Sequence, residues 1–393
     1  MNEDFLYNRL EDRKEKKLFR ELSYQNELVD FSSNDYLGFA KSQELFEHTR
    51  KELAGYCSRF LNRNGSTGSR LLTGNSLYIE ETEQLIADYH EAEAGLIFNS
   101  GYSANTGLLS CISQKTDFIF YDELSHASIY DGMRLSRSST FPFRHNDLNH
   151  LEERLRYFRD YQSGGSCFVV AESVYSMDGD FAPLVEMAGL CERFDANLIV
   201  DEAHATGIFG ANGEGRVVES DIQSKIFARI HTFGKALGCH GAIVLGSKKL
   251  RDYLINFSRP FIYTTALPVH SIASIKMAYE LLERSQMSLV KIRELSLLFE
   301  NMAKKNNVGG FLESSSPIQS FVLAGNEKVR QLALAVQKDG FDVRPILSPT
   351  VPAGKERIRI CLHAFNTENE IQDVMVSIRM NSKLISEKQI VVN

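Results

Sequence analysis

Five apolar runs, each about one strand long and separated by stretches of helical texture, constrain this chain more than any other feature. They are 94–98 (AGLIF), 117–121 (DFIFY), 167–171 (CFVVA), 197–200 (NLIV) and 242–245 (AIVL). A run that is apolar throughout, rather than alternating, suits a strand buried on both faces. The intervening sequence carries the helical period. Tyr78, Leu85, Ile86 and Tyr89 share one face, as do Leu148, Leu151, Leu155 and Phe158. The alternation predicts an α/β chain with a mainly parallel sheet covered by helices on both sides.

The ends of these runs are polar. Asn99, Ser100 and Gly101 follow the first, and Asp122 follows the second. Glu172 and Ser173 follow the third, and Asp201, Glu202 and His204 the fourth. Any one of these could simply mark the start of a loop. In open α/β sheets, however, ligands sit outside the carboxyl ends of the strands, so four polar ends together predict one site. After about residue 270 the texture changes. A long helical region at about 268–305 leads into SFVLAG, GFDVRPI and RIRICLH, which read as a smaller α+β unit. The expected division is an N-terminal arm over 1–45, a large domain over 46–275 and a small C-terminal domain over 276–393. Residues 1–20 are charged and read as a solvated surface helix.

A hydrophobic share of 43% against 24% charged residues supports a sizeable core rather than disorder. The net charge of −7 argues against a nucleic-acid partner. Cys57, Cys111, Cys167, Cys191, Cys239 and Cys361 form no CxxC pair and read as reduced thiols, with neither disulfides nor a structural metal expected. The first residues hold no signal-like apolar run and no stretch approaches membrane-spanning length, so a cytoplasmic protein is expected.

The chemistry gathers at two motifs, NLIVDEAH (197–204) and HTFGKALG (231–238). An aspartate after a strand could merely cap a turn, and a lysine usually lies on the surface. Here Gly234 and Gly238 flank Lys235 and leave room for a bulky group near its amine. Asp201 and Lys235 stand 34 residues apart, about one strand–helix–strand unit, which puts both at one edge of the sheet. Pyridoxal 5'-phosphate (PLP) chemistry needs such a pair: an amine for the Schiff base and a carboxylate facing the pyridine nitrogen. NSGYSAN (99–105) offers backbone N–H groups at a strand-to-helix turn, which suits a phosphate. His126, in DELSHAS, could stack on the ring or be a satisfied core histidine.

These motifs, in this order, resemble the α-oxoamine synthase family of PLP enzymes. The resemblance spans nearly the whole chain. It includes FSSNDYLG (31–38), GSTGSRLLTG (65–74), NSGYSAN, DELSHAS, VYSMDGDFAPL (174–184), VDEAHATG (200–207), TFGKALG (232–238), IYTTALP (262–268) and SPTVPAG (348–354) with RIRI (357–360). It implies the PLP-dependent transferase fold, with a mainly parallel seven-stranded sheet between helices and a smaller α+β C-terminal domain. It implies Lys235 as Schiff-base lysine and base, Asp201 at the pyridinium nitrogen, and His126 stacked on the ring. Ser176 and His204 would bond the phenolic oxygen, and Gly101, Tyr102 and Thr232 would surround the phosphate. Thr264 and Thr265 would reach the phosphate of a partner subunit in a homodimer. Arg20, Asn34 and Arg359 would face substrate, with Arg359 taking the amino-acid carboxylate, and Thr350 would lie near the acyl chain.

The implied reaction joins L-alanine to a pimeloyl thioester with loss of CO2, a biotin-pathway step. Sister members that use glycine or serine are the alternative. The implied partners are small molecules, an acyl carrier protein as one form of the donor, and a second copy of the chain. Neither nucleic acid nor membrane is implied. The sequence departs from the family pattern at Ile79, where histidine is frequent, and at Thr67, which replaces a glycine. Leu347 stands where some members have arginine, with Arg344 three residues upstream, and the stretch between Arg20 and Phe31 is short. The last two departures bear on recognition of the acyl chain.

Overall fold

A computed structural model describes residues 3–22, 27–59, 64–161, 165–305 and 309–390. The side chain of Cys57 and residues 23–26, within the stretch between Arg20 and Phe31, lie outside the described residues. The main sheet contains β1 (Ala94–Phe98), β2 (Phe118–Asp122), β3 (Ser139–Phe143), β4 (Cys167–Glu172), β5 (Asn197–Asp201), β6 (Ile226–Thr232) and β7 (Ala242–Gly246). Their spatial order is β1-β7-β6-β5-β4-β2-β3. Only β7 runs against the rest, antiparallel to both β1 and β6. The remaining pairings are parallel. The five apolar runs are all strands of this sheet, and β1 and β4 are buried along their whole length.

Alternate residues of each central strand feed two cores, one on each face. Val169, Leu198 and Val200 pack with Leu151, Leu155 and Phe158 on one side. Val170, Ile199 and Val244 pack with Leu108 and Leu109 on the other. Leu108 and Leu109 belong to α1 (Gly101–Ile112), which leaves the carboxyl end of β1. α2 (Ala127–Leu135) follows β2 in the same way. Because β2 lies far across the sheet from β1, the chain direction switches beside α1 and opens a crevice there.

The C-terminal part builds a second sheet from β8 (Ile318–Val322), β9 (Arg344–Ile346) and β10 (Arg357–Cys361), antiparallel in the order β9-β10-β8. The helical region expected over about 268–305 is two helices, Val269–Leu282 and Gln286–Lys305. The first of these crosses the division expected near 275. Its residues Ile275 and Tyr279 join a third core with Phe31, Phe233, Phe321 and Ile358. The N-terminal segment is stitched to the small sheet by backbone bonds. Val29–Asp30 pairs in parallel with Phe341–Asp342. The Cys361 N–H donates to the Phe31 carbonyl and the Ala364 N–H to the Tyr36 carbonyl, both at 2.8 Å.

Candidate active site

The polar strand ends converge. A cavity of about 260 Å³ at the carboxyl edge of the sheet is lined by Asn34, Gly101, Tyr102, His126, Asp201, His204, Thr232 and Lys235, together with Ser100, Asn105 and Glu172. Asp201 is the last residue of β5 and lies directly opposite Glu172, the last of β4. Its Oδ2 accepts from Asn105 Nδ2 at 2.7 Å and its Oδ1 from the Ala203 N–H at 2.9 Å. Asn105 sits one helical turn after Gly101 on α1 and also donates to Ser128 Oγ at 3.0 Å. The carboxylate plane is therefore fixed from two elements.

Lys235 lies on the turn after β6. Burial lowers its amine to about 8, with Asp201 and Glu172 opposing the fall and Arg359 adding to it. An amine so placed is a usable nucleophile and base near neutral pH. The two flanking glycines have different reasons. Gly234 lines the cavity, and a Cβ there would meet only the Cys239 carbonyl oxygen at 3.5 Å, so it does leave the expected room. Gly238 has φ +60° and a Cβ would lie 2.2 Å from the Ala40 backbone nitrogen. It admits the neighbouring chain rather than a ligand.

His126 caps α2, its Nδ1 2.8 Å from Ser128 Oγ. Its backbone N–H donates to Glu172 Oε1 at 2.5 Å. The ring lines the cavity and is exposed there. Surrounding protein and the Lys235 charge push the imidazole down, while Asp201 pulls it up. Burial also pushes the Glu172 carboxyl up to about 8, with Asp201 adding to the rise and Lys235 opposing it.

His204 is buried, and its Nδ1 lies 2.8 Å from the Tyr36 hydroxyl. Burial, then the charges of Lys235 and Arg359, hold the imidazole well below its ordinary value. Burial likewise holds the Tyr36 phenol well above its own. Both groups are therefore neutral.

Arg359, on β10, donates to Asn34 Oδ1 at 2.9 Å and to the Ser176 carbonyl at 3.2 Å. These contacts draw Ser176 and Arg359 to the edge of the cavity through Asn34. Among the described residues its hydrogen bonds end on neutral oxygens, so the guanidinium is available to a carboxylate.

The residues fit a pyridoxal phosphate. The buried Thr232 Oγ1 has no hydrogen-bond partner among the described residues. It stands beside the N-terminus of α1, whose first N–H groups have no intrahelical acceptor. The helix starts at Gly101, where a Cβ would lie 2.5 Å from Thr232 Cγ2, so only glycine lets helix and strand meet this closely. Ser100 caps the helix, accepting from the Ser103 N–H at 3.1 Å. The Tyr102 hydroxyl donates to Asp131 Oδ2, which holds its ring at the cavity rim.

Six expected residues do not line this cavity: Arg359 touches it through Asn34 and Ser176 through Arg359, and four others lie elsewhere. Thr350 lines a larger cleft of about 840 Å³ with Leu124, Ser125, Tyr175, Met177, Phe311 and Arg357. That cleft adjoins the first because Ser125 precedes His126. Thr264 lines a separate small cleft with Arg70, Ile79 and Asn99. Thr265 is exposed, its carbonyl accepting from Asn99 Nδ2 at 2.9 Å. Arg20 is exposed and lines neither the PLP-sized cavity nor the larger cleft. Arg344 is paired with Asp342, Nε to Oδ1 at 2.8 Å, so it does not take the place of the arginine missing at Leu347. Thr67, where the family has glycine, has φ +57°, the left-handed region that explains the glycine elsewhere.

Sequence reasoning missed Asn105 and Tyr36 as site residues, and reached Glu172 only as one of the polar strand ends. Asn105 was signalled by its spacing from Gly101, and Glu172 by its strand-end position. Tyr36 carried no signal beyond its place in FSSNDYLG.

Comparison with known proteins agrees with this geometry. Residues 26–378 match the family model of class I and II aminotransferases. An 8-amino-7-oxononanoate synthase from Emericella nidulans is 42% identical, covering 95% of this chain and 94% of its own. A putative 8-amino-7-oxononanoate synthase from Methanococcus vannielii is 38% identical over 93% and 96%. Among solved structures, a serine palmitoyltransferase from S. paucimobilis with bound PLP and myriocin superposes with a TM-score of 0.86 at 25% identity, covering 98% of each chain. An 8-amino-7-oxononanoate synthase from Francisella tularensis gives a TM-score of 0.76 at 27% identity, over 92% and 99%. The chain thus belongs to the class I and II aminotransferase family and, within it, to the α-oxoamine synthases, PLP-dependent acyltransferases.

Proposed function

We propose that the chain condenses L-alanine with a pimeloyl thioester, with loss of CO2, to give 8-amino-7-oxononanoate. The observation that carries this reading is the near-full-length likeness to 8-amino-7-oxononanoate synthases. Bound PLP supplies an electrophilic aldehyde and a ring that withdraws electrons from the amino-acid Cα. Lys235 Nζ would hold the cofactor aldehyde and would take the amino-acid Cα proton. Asp201, fixed by Asn105, would pair with the ring nitrogen and keep its proton in place. His126 would cover the ring, while His204 and Ser176 would hydrogen-bond the phenolic oxygen. Gly101, Tyr102 and Thr232 would bind the phosphate. Arg359 binds the amino-acid carboxylate as a two-pronged donor, beside Asn34. Thr350 and its cleft take the acyl chain of the donor, delivered by coenzyme A or by an acyl carrier protein.

We read the working unit as a cytoplasmic homodimer in which Thr264 and Thr265 reach the partner's phosphate and Arg20 reaches substrate. We read the chain as an arm (1–45), a large domain (46–275) and a small domain (276–393). No described helix is long and apolar enough to cross a membrane.

The likeness to serine palmitoyltransferase supports a second reading, with serine as the amino acid. The purified enzyme, loaded with PLP, is to be offered alanine, glycine or serine with pimeloyl, acetyl and palmitoyl thioesters, and thiol and CO2 release measured. Alanine with pimeloyl should turn over fastest, and Lys235→Ala should abolish it. Turnover with serine and palmitoyl alone would replace the first reading with the second.

A further inference from the structure

His145 stands outside the cavity that holds Lys235 and bridges two carboxylates. Its Nδ1 lies 2.8 Å from Asp122 Oδ1 and its Nε2 2.7 Å from Asp180 Oδ2. A carboxylate only accepts hydrogen bonds, so both ring nitrogens must donate and the ring is an imidazolium. The Tyr175 ring meets it edge-on, centroids 4.5 Å apart at 87°. Asn146 repeats the bridge: its N–H donates to Asp122 Oδ2 at 2.9 Å and its Nδ2 to Asp180 Oδ2 at 2.8 Å.

The two carboxylates belong to different loops. Asp122 ends β2, and its Oδ1 also accepts from the Leu124 N–H at 2.9 Å, shaping the turn 123–125 that leads to His126. Asp180 closes the loop 174–181, with the Tyr175 N–H donating to its carbonyl at 3.0 Å. Both loops line the larger cleft, the first through Leu124 and Ser125 and the second through Tyr175 and Met177. From this arrangement we infer that His145 is a positioning residue: it bolts the two loops of the acyl-donor cleft together and so sets affinity for the acyl thioester. The assignment of the cleft rests on the function proposed above; the bolt between the loops does not.

The charged and titratable groups facing the imidazole are Asp122, Asp180, Tyr175 and Glu123, whose Oε1 accepts the His145 N–H at 3.2 Å. The hydrogen bonds to Asp122 and Asp180 outweigh partial burial and raise the imidazole to about 10. The His145 charge should therefore add no pH dependence to the wild-type acyl-donor KM between pH 6 and 9, within the range where the imidazolium persists.

Three measurements on the full chain test this. In His145→Gln, amide hydrogen exchange should quicken at 123–126 and 174–181 and stay unchanged in β5. The acyl-donor KM should rise roughly tenfold or more, as expected when a positioning contact slips, with the amino-acid Kd within about twofold. Asp180→Asn keeps the ring and one carboxylate, so its KM should be near wild type at pH 6 and climb as pH rises toward 9. Unchanged exchange in the two loops overturns the inference. So does a rise in both substrate constants together, or an Asp180→Asn profile no steeper than wild type. If the wild type turns over no acyl thioester, the proposed function fails, and the exchange measurement still decides whether His145 holds the loops.

Discussion

The Arg359 guanidinium rests on Asn34 Oδ1 and the Ser176 carbonyl, both neutral oxygens. A partly buried cation without an anion keeps a preference for one, and the planar fork suits a carboxylate better than a point charge does. Arg359→Lys retains the charge and loses the fork. The amino-acid KM should rise roughly 10- to 100-fold, with kcat at saturating amino acid changed only a few-fold, the pattern of lost uniform binding. Steady-state kinetics at fixed acyl donor check it, and an unchanged KM would remove Arg359 from the substrate site. Lys235 and Asp201 were legible in the sequence as neighbours, because each follows a strand-like run and they stand 34 residues apart, about one strand–helix–strand unit. Asn105 and Tyr36 were not, because they act through the side chains of Asp201 and His204. Side chains that act through others leave no chemical signature of their own in a run of letters.

Helix α1 meets β6 at one pair of residues, and the phosphate-sized corner of the cavity depends on that meeting. Gly101→Ala puts a methyl where Thr232 Cγ2 stands 2.5 Å away, so the helix N-terminus must retreat. PLP affinity should fall about tenfold or more, since each ångström of misplacement is costly to a positioned site. Thr232→Ser removes Cγ2 and keeps the hydroxyl, so the double variant should recover most of the loss. Equilibrium dialysis of PLP against the three proteins measures this. Recovery absent from the double variant would place the clash elsewhere. At this scale the sequence was readable where strands are buried on both faces, because such strands are apolar throughout. It was not readable at β3 (Ser139–Phe143), an edge strand with exposed Ser139, Phe141 and Pro142. Edge strands need no second apolar face and tolerate proline. β6 was hidden for another reason: it carries Arg229 and His231 inward, both buried, so its pattern is interrupted. The break at Glu283–Ser285 that splits the long helical region carries neither glycine nor proline, and nothing local announced it.

Those inward polar residues tie the molecule together and decide how it responds to acid. His90 joins the Glu214 carbonyl at 2.7 Å to the Tyr279 hydroxyl at 2.9 Å. His231 packs against it with ring centroids 3.9 Å apart, and His204 links the main sheet to Tyr36 of the N-terminal segment. Burial depresses all three, His90 to about 3, and lowers His126 and His363 as well. Unfolded histidines protonate near pH 6.5, so below that the unfolded chain binds more protons. Stability then falls with pH, by about 1.4 kcal/mol per unit for each fully titrating group. Glu172 and Glu202 work the other way. Burial raises them to about 8 and about 7, above the ordinary 4.5, so the folded state binds their protons first and gains stability as pH falls toward 4.5. Between pH 6.5 and 4.5 the two carboxyl gains offset part of the histidine loss, so the slope there is smaller than the histidines alone would give. Below 4.5 the unfolded glutamates are protonated as well, the gains stop, and the histidine loss is no longer offset, at about 1.4 kcal/mol per unit for each group still titrating. Glu356, held low by the Gly325 N–H, adds to that loss. His145 adds nothing there, because it is protonated in both states. Urea unfolding of the cofactor-free protein should therefore show a midpoint that falls gently from pH 6.5 to 4.5 and more steeply below. His231→Asn should flatten the steep limb by about 1.4 kcal/mol per unit, the share of one titrating group. A midpoint that drops mainly between pH 6.5 and 4.5 would mean that the buried carboxyls do not offset the histidines.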